Sequence, residues 1–285
     1  MKTPKRLQPL VDDGLIDEVI SRLMSGKEAD IFIVRCGEHI RCAKVYKEAI
    51  KRSFKKAAQY QEGRKLRSGR RARAIERRSN YGRQQQEEIW QTAEIDALSR
   101  LSKAGVRVPD TFGCVDGVLL MELVTDEAGD AAPRLADVIL SEQQAIEDHA
   151  LMMHYVMLML SEGLVHGDLS EFNVLVDAYG PVIIDLPQAV DAAANNNAQA
   201  MFTRDVNNMR RHYAEFAPAL LHTQYAKEMW ALFEDGNVTP DTVLTGTFED
   251  EGDSADVDAV LEEIKAVMRE EQERQERIRD AENGV

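Results

Sequence analysis

The stretch LVHGDLSEFNVLVDAYGPVIIDLPQAV, residues 164–190, limits what this chain can fold into more than any other. Val174–Val176 and Val182–Ile184 are short apolar runs on either side of a turn over Asp177–Pro181, a pattern that predicts a β-hairpin. A polar loop, His166 to Asn173, enters the hairpin, and Asp185 ends its second strand. Upstream, Ser141 and Gln144 form a capping-box pattern. It opens a helix carrying Ile146, Met153, Val156, Met157 and Leu160, closed by Gly163. Methionines at helical spacing read as core packing. The loop therefore lies between a buried helix and a hairpin.

The rest of the chain divides unevenly around this unit. Residues 11–24 predict a short helix, with Leu15, Ile16, Val19, Ile20 and Leu23 at helical spacing. Ile31–Cys36 and Ile40–Tyr46 predict two strands joined at Gly37. Glu87–Lys103 reads as an amphipathic helix ended by Gly105, and VRVPDTFGCVDGVLLMELV as strand, turn and strand, with VLLMELV fully buried. Asn195 to Phe233 is mostly helical in pattern, 234–256 is acidic and turn-rich, and 257–282 reads as a charged helix. Strands and one helix come first, and helices around a hairpin come second. This order predicts an α+β fold of two lobes, 1–123 and 124–233, followed by a tail, 234–285, with a ligand cleft between the lobes.

Charge is segregated along the chain. The net charge of −15 argues against a uniformly cationic nucleic-acid binder. Yet residues 47–83 hold fourteen Lys or Arg against three Glu, and residues 249–285 hold fourteen Asp or Glu against five Lys or Arg. Such blocks mark solvated or partner-binding segments. No run of eighteen apolar residues predicts a membrane span, and no apolar segment of signal-peptide length follows the N-terminus, so a cytoplasmic protein is expected. Cys36, Cys42 and Cys114 form no CxxC pair, and neither a zinc site nor a disulfide framework is expected.

In HGDLSEFN, Asp168 and Asn173 are separated by four residues, the spacing of a kinase catalytic loop. Phosphoryl transfer from ATP needs a cation on the phosphates, oxygen ligands for Mg²⁺ and an oriented acceptor. Asp168 suits the last task, and Asn173 with Asp185 the second, because Mg²⁺ prefers hard oxygens. Lys44, inside the apolar strand AKVY, is costly there unless paired. Its expected role is to bind phosphates and pair with a helical carboxylate, Glu94 in first place and Asp96 in second. The loop Ser25-Gly26-Lys27-Glu28-Ala29-Asp30 offers backbone amides and Ser25 to phosphate oxygens. Met121-Glu122-Leu123 stands where a linker would present backbone groups to adenine.

These residues resemble the RIO family of atypical serine kinases. The matching features are SGKEA in place of a glycine-rich loop, AKVYK, a basic insert leading to Trp90 and Glu94, LVHGDLSEFN and IIDLPQAV, over about residues 20–215. The resemblance implies a two-lobed protein-kinase-like fold that uses ATP and Mg²⁺, with Mn²⁺ as an alternative ion. It implies Asp168 as the catalytic Asp, Asn173 and Asp185 as metal ligands, Lys44 and Ser25 at the phosphates, and Asp185 as a site of phosphorylation. It further implies transfer to protein serine, the chain itself included, and a place in ribosome maturation, with RNA or a ribosomal particle meeting residues 47–83. About two dozen residues precede Ser25, too few for a winged helix, so the resemblance is to the branch without one. Two alternatives stand beside it. Aminoglycoside- and choline-type phosphotransferases share the HGD loop and a later Asp, but usually carry a larger helical lobe after it. An ATP-hydrolysing switch would use the nucleotide without labelling a protein.

Overall fold

Period-two alternation organises the first half of the chain. The computed structural model describes residues 2–26, 29–47 and 80–249, with backbone alone for 80–91. Lys27, the core of the basic segment and the helix expected at 257–282 lie outside the described residues. A short helix α1 (Gln8–Asp12) precedes strands β1 (Glu18–Ser25), β2 (Ala29–Cys36) and β3 (His39–Tyr46). Helix α2 (Asn80–Lys103) then leads to β4 (Thr111–Val115) and β5 (Val118–Glu122). The five strands form one antiparallel sheet in the order β1-β2-β3-β5-β4. Ala43, Val45, Val118 and Leu120 point to one face, where Leu7, Leu10, Ile16 and Val19 cover them. Tyr46 and Leu119 point to the other, against Ala97, Leu98 and Leu101 of α2. Lys44 lies opposite Ile31 on one side and Leu119 on the other. Since successive side chains alternate, this register sends it to the α2 face.

The helix expected over residues 11–24 is replaced by the end of α1, a turn and β1. Gly14 adopts φ +73°, which ends the helical path. Beyond it only Ile16 and Val19 are buried, while Leu15, Ile20 and Leu23 are exposed. A short apolar run fits both periods, and pairing with β2 decides between them. In VLLMELV, Val118–Leu120 and Val124 are buried, but Met121, Glu122 and Leu123 are only half-buried, because the sheet ends there. The β4–β5 turn is Asp116-Gly117, with φ +49° and +74°, as a two-residue hairpin turn of this twist requires.

The second half is built around helix α3 (Glu142–Ser161). Ser141 caps it, accepting from the Gln144 amide while the Gln144 side chain accepts from the Ser141 N–H. Met152, Met153, Val156, Met157, Leu158, Met159 and Leu160 are all buried, so its second half is apolar on nearly every side, as a central helix is. Ile146 is not part of this face and is 40% exposed. Strands β6 (Leu164–Val165) and β9 (Val190–Asp191) pair across the loop region, and β7 (Val174–Asp177) with β8 (Gly180–Ile183) makes the expected hairpin. Asp185 lies two residues past β8 rather than at its last position. Helices α4 (Ala198–Ala214) and α5 (Tyr225–Glu234) complete the lobe, and this compact unit extends to Gly246. Glu228 of α5 accepts the amides of Thr245 and Gly246 at 2.6 and 2.8 Å. Among the described residues no helix is long and apolar enough to cross a membrane.

The two halves are tied beside the linker. Arg107, which precedes β4, meets both carboxylate oxygens of Glu122, at 2.8 and 2.6 Å. The same guanidinium lies 3.0 Å from Asp177 at the end of β7, and the Arg107 carbonyl accepts from the Ile183 amide of β8. A planar fork can serve two carboxylates in this way.

Within the helical lobe, His149 is buried, with the rings of Tyr213 and Tyr225 5.6 and 5.5 Å away. Burial, helped by the charge of Arg210, lowers its pKa from 6.5 to about 4. Between these values the unfolded chain takes up a proton that the folded chain refuses, so the stabilisation is complete above 6.5 and is lost as pH falls toward 4. The loss should reach roughly 3 kcal/mol near the lower value. In urea melts across this range, His149→Phe should flatten the acid-side decline relative to the wild type. Parallel curves would show that His149 does not govern it.

Candidate active site

The register of β3 and the phase of α2 bring Lys44 to Glu94. Glu94 lies on the same buried side of its helix as Ala97, Leu98 and Leu101 and is 1% exposed. Lys44 Nζ is 2.6 Å from Glu94 Oε1 and 2.8 Å from Asp185 Oδ1. Tyr46, two residues along β3, donates its hydroxyl to the second oxygen of Glu94. Asp96 is exposed and takes no part. Desolvation works against the Lys44 ammonium, but Glu94 and then Asp185 outweigh it and raise its pKa above the ordinary value. For Asp185, burial opposes ionisation, and Lys44, with Arg134, overcomes it and holds the carboxyl below the usual range. Both groups are therefore charged near neutrality. Asp185 also has φ +66°, a left-handed backbone that non-glycine residues rarely keep without a reason.

The loop from His166 to Asn173 is fixed mostly through its backbone. The Asp168 amide donates to His166 Nδ1 at 3.2 Å, so Nδ1 is the acceptor and Nε2 carries the proton, which goes to the Ile184 carbonyl at 3.0 Å. From α4, Asp205 accepts the Gly167 amide at 2.7 Å, Arg204 donates to the Gly167 carbonyl, and Asn208 donates to the Leu169 carbonyl at 2.9 Å. Asp205 is 2% exposed, and burial pushes its carboxyl up to about 6 despite the opposing pull of Arg204 and the Gly167 amide. Among the described residues, the Asp168 carboxylate, by contrast, has one long contact, 3.3 Å from Gln188 Nε2.

Asn173 Nδ2 donates to the Asp168 carbonyl at 2.8 Å, which fixes its amide and leaves Oδ1 as an acceptor. Asp185 spends Oδ1 on Lys44 and is 39% exposed, leaving a second oxygen for the cleft. Two hard oxygens on either side of a hairpin suit Mg²⁺ when phosphate oxygens and water complete its shell. Among the described residues, no cluster of three or more His, Cys, Asp or Glu competes with them for a metal.

At the other side of the cleft, Ser25 and Asp30 are paired across the ends of β1 and β2. The Ser25 hydroxyl donates to Asp30, and Lys47 donates to Ser25 and to the Gly26 carbonyl, at 3.2 and 2.6 Å. Met121 and Glu122 are the last residues of β5, and Leu123 follows. The Glu122 amide donates to the Asp110 carbonyl and its carboxylate is held by Arg107, so both groups already have partners within the protein. Reading the sequence alone missed Asp205, Arg204, Asn208 and Gln188. Asp205 had a signal, since it is a carboxylate on the face shared by Met201, Phe202, Val206 and Met209.

Replacing Asp205 by Ala would leave the Gly167 amide without its acceptor. Urea melts at pH 7.5 should show a loss of about 1–3 kcal/mol. Asp205→Asn, which keeps a carbonyl oxygen, should lose less. Two variants as stable as the wild type would mean that α4 does not secure the loop.

Comparison with known proteins accords with this geometry. The RIO domain family profile matches residues 30–226. The RIO-type serine/threonine-protein kinase Rio1 of Haloferax volcanii is 33% identical over 207 residues, covering 72% of this chain and 66% of its own. Serine/threonine-protein kinase rio1 of Schizosaccharomyces pombe is 29% identical, with 67% of this chain and 37% of its own covered. The human RIO1 kinase is 26% identical, with 84% and 40% covered. The chain thus spans less than two thirds of the length of these relatives. In fold it is similar to the Rio2 kinase of Chaetomium thermophilum, solved as an ADP/Mg²⁺-phosphoaspartate complex, with a TM-score of 0.57, 22% identity and coverage of 92% of this chain and 75% of that one. Matched from the second strand of the sheet to the start of α5, this chain belongs to the RIO family.

Proposed function

We propose that this chain is an ATP- and Mg²⁺-dependent serine protein kinase of the RIO type. The observation that carries the reading is the Lys44 ammonium held between Glu94 and Asp185, next to a backbone-anchored loop presenting Asp168 and Asn173. Lys44, fixed by Glu94, orients the nucleotide phosphates. Ser25 and the amides of its loop hold them from the sheet side. Asn173 Oδ1 and Asp185 hold Mg²⁺, which when bound neutralises charge on the transferring phosphoryl group. Asp168, free of strong structural bonds, accepts the proton of a serine hydroxyl as that oxygen takes the γ-phosphoryl group. Its contact with Gln188, a neutral donor, steers the carboxylate. Asp185 is a second acceptor in this reading, since its free oxygen faces the same phosphates. The chain itself is among the protein substrates, and the basic segment 47–83 supplies contacts to RNA phosphates or a ribosomal particle.

With γ-labelled ATP and Mg²⁺ or Mn²⁺, the purified protein should show a nucleotide-dependent thermal shift and label itself on serine. Asp168→Ala should lower transfer by about 10²–10⁴-fold while nucleotide binding survives. Asp185→Ala should weaken metal–nucleotide binding itself. Acid-stable label would mark serine, and label released by hydroxylamine would mark Asp185. Neither shift nor label in the wild type would overturn the assignment. Turnover of ATP without any protein label would replace it with an ATP-driven switch.

A further inference from the structure

Among the described residues, no carboxylate pairs with Arg134 at the cleft. Arg134 lies on the segment that joins the linker to the helical lobe, and its backbone is bridged to Leu175 of β7. The neighbouring Pro133 carbonyl accepts from Val176, and the Arg134 carbonyl accepts from Asp137. The base of the side chain is thus fixed to the hairpin that also positions Asn173 and Asp185. The guanidinium reaches across to the sheet, where Nη2 is 2.8 Å from the Met24 sulfur. Met24 is the residue before Ser25.

This is an unusual end for an arginine. A thioether is a weak acceptor and carries no charge. Arg134 Nε is buried without a hydrogen-bond partner, and no Asp or Glu among the described residues lies within ion-pair distance of the side chain. Its charge is felt at Asp185. An under-satisfied guanidinium on the hairpin side of the cleft, ending beside the residue before Ser25, is a site for an anion with several oxygens.

We propose that Arg134 binds the polyphosphate of the nucleotide, reaching from the helical lobe to the strand that enters the Ser25 loop. The inference rests on the kinase reading and adds a residue to it. Lys44 and the Ser25 loop belong to the sheet, whereas Arg134 is anchored on the hairpin. Phosphate oxygens replace the sulfur as partners of Nη2, and the fork geometry accepts two of them.

The test is calorimetric, on the full chain with Mg²⁺. Arg134→Gln should weaken ATP binding about tenfold or more, the scale of a lost charge-assisted bond. It should weaken ADP binding less and leave adenosine unaffected. Arg134→Lys should recover part of the ATP affinity, because charge returns without the fork. Equal ATP affinity for Arg134→Gln and the wild type would overturn the proposal. So would a loss shared by adenosine, which would mark Arg134 as structural support. A wild type that binds no ATP would instead overturn the kinase reading beneath it.

Discussion

An ammonium group inside a β-strand is tolerable only with anions at bonding distance, and Lys44 has two. One is on a helix fifty residues later and the other beyond the hairpin, 141 residues away in sequence. To satisfy one charge, the sheet must have its register, α2 its rotational phase and the β8 exit its left-handed turn. A one-residue slip of β3 would drive Lys44 into the face formed by Ala43 and Val45. A buried ion pair of this kind is weak evidence for stability, but losing one partner is expensive. Its structural effect here is to make the two lobes agree on one arrangement.

The opposite economy governs the HGD loop. Its own carboxylate is left nearly unbonded, and the fixing is done by main-chain groups and by side chains from α4. Asp205 and Arg204 hold the N–H and the carbonyl of Gly167, which belong to successive peptide units, and His166 in a single tautomer connects the loop to Ile184. Support from outside the loop leaves the Asp168 side chain with few structural bonds to make. The raised pKa of Asp205 is the counterpart of that support, since the anchoring carboxylate is the one that is deeply buried.

The two-lobed fold and most site residues were legible because their signals were local. The Asp168–Asn173 spacing, the hairpin, the capping box at Ser141 and the lone Lys44 among apolar residues each follow from short windows. Glu94 was found ahead of Asp96 from its place beside the apolar face, and burial separates the two in the same way. What was not legible depended on distant partners. Residues 11–24 satisfy a helical period as well as a strand, and only β2 decides between them. Arg134 and Arg204 look like surface arginines until the elements they reach across to are in place. Gln188 acquires meaning only when the chain after Asp185 folds back beside Asp168.

The Arg107 fork determines how the lobes can move. It fastens the end of β5 to both strands of the hairpin at the linker side of the cleft. A rigid sheet held at one edge is displaced least there, and any tilt about that edge grows with distance from Arg107. The strand farthest from it in the sheet is β1, which ends at Ser25. A tilt too small to disturb the bonds at Glu122 and Asp177 is therefore magnified where Ser25 and Met24 face Arg134.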